Sequence, residues 1–268
     1  MVRHLPAPVT FHPRYRPLIP ARLALGLVLP LLLVLGTAPV CAERAATAPQ
    51  AFGWHELPGT AIQPVCPPNG FGGYGYAFAD KCRFVTGAWS SGALDRRRNR
   101  LYVLGGGHND YYGNEIYAID LARGKTTRLT DPAPVADFAA EPRQSELAPF
   151  NGTQPNSRHT YDGVVYIEHA DRLWMYSGAL AGRGSANRDN LTWLFDPERK
   201  AWHRATPKGD IPKTATGLVA AYDPVSRLVY LHDRNGLYSY EYAPDGGTYR
   251  RLAGGPVGLG VNAAIDPE

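Results

Sequence analysis

The stretch Arg100-Leu-Tyr-Val-Leu-Gly-Gly-Gly-His-Asn-Asp-Tyr-Tyr-Gly-Asn-Glu-Ile-Tyr-Ala-Ile-Asp-Leu121 decides the fold. An apolar run climbs into three glycines, a polar and aromatic loop follows, and an alternating run leaves it. Glycine permits positive φ and close backbone approach, so the pattern predicts two strands joined through a tight loop. The same layout returns twice with other side chains, which makes the chain a repeat.

Working outward, an apolar step closed by aspartate opens each unit: Ser91–Asp95, Val165–Asp171, Val219–Asp223 and Val261–Asp266. In the first three, Arg-Leu then starts a second strand, as at Arg100-Leu101, Arg172-Leu173 and Arg227-Leu228. Third strands follow at Ile116–Ile119, Leu191–Phe195 and Leu237–Tyr240, and more polar fourth strands at Thr127–Leu129, Trp202–Arg204 and Tyr249–Leu252. Four short strands at a period near fifty are the mark of a propeller blade. The expected fold is therefore all-β, with about three complete four-stranded blades over 85–268. Trp54-His-Glu-Leu resembles Trp202-His-Arg-Ala and reads as an extra outer strand at the N-terminus. The fourth unit breaks off at Asp266-Pro-Glu268, so a closed ring is expected to need strands beyond it.

Residues 1–42 read as an export signal: Arg3, Arg14, Arg16 and Arg22 precede an apolar run from Leu23 to Val40, and Val40-Cys41-Ala42 fits a cleavage site. An uncleaved anchor is the alternative, and the membrane has no other expected role. The whole chain has 28 Lys+Arg and 24 Asp+Glu, and removing the four leader arginines leaves 24 of each. That balance gives no basis for a nucleic-acid partner. Cys66 and Cys82, the pair left after the leader, are expected to form a disulfide closing a 17-residue loop within a 43–84 segment that also holds the extra outer strand. Such a bridge contributes roughly 3 kcal/mol. The expected location is the periplasm or the extracellular space.

At Gly105-Gly-Gly107, with Tyr117 and Trp202, the chain resembles the Kelch/galactose-oxidase-type propeller superfamily over 51–268. It resembles secreted bacterial Kelch-like propellers bearing Gly-Gly-Gly-His-Asn-Asp-Tyr. The resemblance implies a ligand-binding ring; it does not fix an activity, because propellers host binding modules and several enzyme classes.

In an antiparallel four-stranded unit, the loop between the second and third strands shares a side with the stretch leading into the next unit. That side receives His108, Asn109, Asp110, Tyr111, Tyr112 and Asn114 from the first unit. It also receives Asn156, Arg158, His159 and Tyr161 before the second, with Arg188 nearby. Amides, rings and cations of this kind suit a polysaccharide or a cell-envelope protein. His108 reads either as a base or ligand-binding imidazole, or as a loop residue bonding a carbonyl. Asp110 and Asn114 read as hairpin braces bonding their own loop backbone, with a ligand or calcium role as the alternative. Trp89, Trp174, Trp193 and Trp202 read as packing between blades, with sugar stacking open only to an exposed one.

Two enzyme alternatives arise. Ulvan-lyase propellers use a similar Arg/His/Tyr set, which implies β-elimination on an acidic glycan with His108, Arg158, His159 and Tyr161 as the catalytic group. A copper-radical oxidase like galactose oxidase needs a free cysteine joined to tyrosine, which a Cys66–Cys82 pairing would deny it. No cofactor or metal is expected. P-loop, Rossmann, His-Glu-x-x-His and Gly-x-Ser-x-Gly patterns are absent from the sequence.

Overall fold

The structure is a computed structural model describing residues 52–109, 111–133, 153–181, 189–213, 216–258 and 261–267. Residues 1–42, read above as an export signal, and Asp110 and Arg188 lie outside these residues. The described chain is all-β, built from antiparallel sheets. The first sheet runs in order β1 (Gly92–Asp95), β2 (Arg100–Val103), β3 (Tyr117–Asp120) and β4 (Lys125–Arg128). A two-stranded pair, β5 (Arg158–His159) with β8 (Ala179–Leu180), flanks the second sheet. That sheet is β6 (Val164–Ile167), β7 (Arg172–Tyr176), β9 (Thr192–Asp196) and β10 (Ala201–Arg204). The third holds β12 (Val219–Asp223), β13 (Leu228–His232), β14 (Leu237–Glu241) and β15 (Thr248–Ala253). A short parallel strand, β11 (Lys208–Gly209), extends its edge.

The twelve repeat strands fall within a residue or two of their sequence-predicted positions, apart from the shorter β6. Asn99, Asp171 and Arg227 take the left-handed conformation just before β2, β7 and β13, which closes the first hairpin of each sheet. The first strands β1, β6 and β12 lie side by side. The sheets do not close into a barrel or a ring among the described residues.

Alternation explains the packing. Val164, Tyr166, Leu173, Met175, Trp193 and Phe195 turn toward the first sheet, where they meet Tyr102, Ile116 and Ala118. Their neighbours Val165, Ile167, Trp174, Tyr176 and Leu194 turn the other way, onto Ala220, Val229, Leu231, Tyr240 and Tyr249. The second sheet is thus apolar on both faces, as a sandwiched sheet must be. Each fully buried large side chain contributes about 1.5–3 kcal/mol relative to exposure. These two interfaces, more than the short ladders, hold the sheets together.

The remaining face of the first sheet, Val103, Tyr117 and Ile119, is covered by the segment from Ile62 to Val85. Tyr76, Phe78 and Cys82 form its apolar side, and a disulfide joins Cys66 to Cys82.

Two expected strands do not form. Trp54 is fully exposed, and Trp54–Gly59 pairs with nothing in strand geometry. Pro58 removes a ladder donor there; Pro58 and Gly59 pass close to Gly124 before β4, and just beyond them the Thr126 hydroxyl donates to the Thr60 carbonyl at 2.8 Å. Val261–Asp266 is also not a strand. It is fixed instead by the Ala263 N–H donating to Asp162 at 2.9 Å, a side-chain acceptor in place of a ladder.

Candidate functional site

The three glycines pass the β2–β3 loop through a gap too narrow for side chains. A Cβ on Gly105 would sit 2.8 Å from the Arg158 carbonyl oxygen, and one on Gly107 would collide with that of Phe84. Both glycines have positive φ. The Gly106 N–H donates to the Arg158 carbonyl at 2.8 Å, which ties the loop to β5. His108 and Asn109 emerge from it exposed.

His108 lands on Trp89. The ring centroids are 4.2 Å apart and the planes perpendicular. His159 packs on the same indole at 5.2 Å, and Tyr161 lies 6.4 Å from it and 6.1 Å from His159. The Tyr161 N–H donates to the Trp89 carbonyl at 2.8 Å. Trp89 and Tyr161 both hold left-handed backbone, costly for bulky residues and found where surrounding structure over-determines them. Trp89 retains 44% exposure, unlike Trp174, Trp193 and Trp202, which are buried as the sequence predicts. The result is an open indole framed by two imidazoles and a phenol.

Arg158 does not join this cluster. Neighbours on a strand point to opposite sides, so His159 packs beneath Trp89 while Arg158 turns the other way at 1% exposure. His159 is only 3% exposed, and so is not open to ligand as the sequence predicts. Its guanidinium pairs with Asp189 at 2.9 Å and donates to the carbonyls of Asn156 and Ser177, both at 3.0 Å. An Arg/His/Tyr set built for elimination therefore lacks its exposed cation.

Other residues expected to face ligand are structural. Tyr111 and Tyr112 are buried against Tyr76 and Phe78 under the disulfide-closed cap. Asn114 is buried, donating to the Pro155 carbonyl at 2.9 Å and accepting from the Ala133 N–H at 2.8 Å. It braces the hairpin, though to distant segments and not to its own loop. Asn156 is likewise buried.

Sequence reasoning missed Glu115. Its side chain is 1% exposed, and one oxygen accepts from the phenols of Tyr111 at 2.5 Å and Tyr117 at 2.7 Å. Oε2 is buried without a hydrogen-bond partner among the described residues. Burial pushes this carboxyl above its ordinary range, outweighing the two phenols that favour the anion. A group whose folded-state pKa is raised contributes stability below its ordinary titration range and loses it as pH rises. Glu115→Gln is therefore expected to melt higher than wild type near neutral pH, by about 1–3 kcal/mol of relieved burial cost, and equally in acid. Thermal melts across pH check this; equal curves for the two proteins would refute it.

Protein-family models give no match to this chain, and no curated protein matches it. No helix among the described residues is long and apolar enough to cross a membrane.

Proposed function

We propose that the chain is an exported Kelch-type propeller module that binds a glycan on the face carrying Trp89 and His108. Three successive antiparallel meanders with adjacent first strands support the propeller reading. The basic-apolar leader and the Cys66–Cys82 bridge support export to the periplasm or beyond. The observation that carries the binding role is the open Trp89 face ringed by His108, His159 and Tyr161. An indole stacks on the C–H face of a sugar, while neighbouring imidazole and amide groups bond its hydroxyls. A cell-envelope protein is the competing ligand. The buried, bonded Arg158 weighs against the lyase alternative, and the paired cysteines weigh against a cysteine–tyrosine oxidase centre.

Titration of wild-type protein against a panel of neutral and acidic oligosaccharides tests this. Trp89→Ala is expected to weaken binding of the neutral oligosaccharides by about tenfold or more, with the melting temperature nearly unchanged and Trp89→Phe restoring part of the affinity. Neutral-sugar binding that survives Trp89→Ala would remove the site, and release of an unsaturated product from an acidic sugar would convert the module into a lyase.

A further inference from the structure

The opposite ends of the first strands carry a different constellation. Trp89 and Tyr161 precede β1 and β6, at their starting ends, whereas the β1–β2, β6–β7 and β12–β13 turns lie at their far ends. There a cavity of about 310 Å³ opens beside Tyr222, His169 and Arg227. It adjoins a second of about 290 Å³, which shares Tyr166, Glu168, Tyr222 and Pro224 with it. Each has the size of a small-ligand site.

Its walls are preorganised. The Tyr222 and His169 rings lie nearly parallel with centroids 5.9 Å apart, and His169 Nδ1 is 2.8 Å from the Tyr222 hydroxyl. Tyr242 meets the imidazole edge-on at 6.1 Å. His169 Nδ1 is thus occupied, which leaves Nε2 for a ligand hydroxyl.

Charge is unevenly matched around the cavity. Glu168 is taken by Arg96 at 2.5 Å, and Asp171 by Arg98 at 2.6 Å and Arg97 at 3.6 Å. The nearby Asp223 spends both oxygens on the N–H groups of Val225 and Ser226. Arg227 is left as the cation without an acidic partner among the described residues, close enough to His169 to disfavour its protonation after burial has done so. Burial and the guanidinium both disfavour a charged imidazole, so the site's positive charge comes from Arg227, with Arg97, held only at 3.6 Å from Asp171, also lining the cavity.

We propose that this cavity is a second ligand site, for the carboxylate-bearing ring of an acidic saccharide, with Arg227 gripping the carboxylate and Tyr222 and His169 holding the ring. A guanidinium matches a carboxylate with two parallel donors, and the tyrosine–imidazole pair offers both a flat face and hydroxyl partners. The inference stands on residues separate from the Trp89 face.

The test uses the full chain and two probes, a galacturonate tetrasaccharide and a neutral galactose tetrasaccharide of equal length. Wild type is expected to bind the acidic probe in preference to the neutral one, and more weakly at high salt. Arg227→Gln is expected to weaken acidic-probe binding by about tenfold, one charge-assisted contact, while Trp89→Ala leaves this binding in place. Arg227 sits on an exposed turn, so its substitution should leave the melting curve unchanged, and imidazole NMR signals of His169 should shift with the acidic probe only. Equal affinity for the two probes, or binding unaffected by Arg227→Gln, would overturn the proposal. Acidic-probe binding lost in Trp89→Ala but kept in Arg227→Gln would overturn it too, while supporting the Trp89 site.

Discussion

Replacing Arg158 with alanine is expected to destabilise the fold by about 3–5 kcal/mol while leaving ligand affinity of the folded protein unchanged. The side chain is buried, and its guanidinium supplies the donors for three acceptors: the Asp189 carboxylate and the carbonyls of Asn156 and Ser177. Removing it takes these donors from the two carbonyls, leaves the partly buried Asp189 with the Leu191 N–H, and opens a cavity behind β5. Loss of one partner from a buried pair costs far more than the pair contributes, because the remaining charge stays out of water. Urea melts give the stability, and titration well below the variant's melting point gives the affinity. A variant as stable as wild type but unable to bind would return Arg158 to the ligand face and revive the elimination mechanism. Trp89→Ala should behave in the opposite sense, so the two variants separate a structural residue from a binding one.

Arg158 also marks where the sequence stops being readable. Its neighbour His159 faces the opposite way, and period-two alternation would have separated them had Arg158-His159 been read as a strand. A two-residue strand carries too little pattern for that. The twelve repeat strands were legible because each shows apolar alternation between turn signals. Tyr111 and Tyr112 were not, since a polar loop rich in tyrosine looks like a binding surface until something covers it. Their cover is the cap around Phe78, a long-range contact that no local pattern announces.

Glu115 was hidden by the same contact, because its burial follows from the tyrosines above it. Trp89 gave the reverse error. Three tryptophans on strands are core, and the fourth was grouped with them by residue type. Its local sequence, Gly87-Ala-Trp-Ser-Ser-Gly92, is turn-like, and that signal identifies the one that stands outside a strand. Trp54 failed for a related reason: similarity to an outer strand says nothing about whether a partner edge is present.

The second large effect is expected at Arg98, in the β1–β2 turn. Its guanidinium donates to Asp95 at 2.8 Å, to Asp171 through two nitrogens at 2.6 and 2.7 Å, and to the Tyr166 hydroxyl at 2.9 Å. Asp95 belongs to the first sheet and Asp171 to the turn of the second, so one side chain fastens the two sheets at their far ends. Asp95 is fully buried, and Arg98→Ala would leave it with backbone donors alone. The expected cost is about 3–5 kcal/mol, with Arg98→Lys recovering only part because an ammonium cannot span both carboxylates as a fork. Arg96→Ala is the control: its pair with Glu168 is largely exposed and should contribute under about 1 kcal/mol. Acid separates the clamp from simple packing loss. Arg98 holds the Asp171 carboxyl down to about 2 from an ordinary value of 3.8. A depressed carboxyl contributes stability above its ordinary range and loses it as pH falls through the folded-state value. Wild type should therefore lose this contribution between about pH 4 and pH 2, and Arg98→Ala should show a smaller step, since Tyr166 and Arg97 still favour the Asp171 anion. If Arg98→Ala melts like Arg96→Ala and keeps the full acid step, the sheets are held by their apolar interface alone and the clamp is incidental.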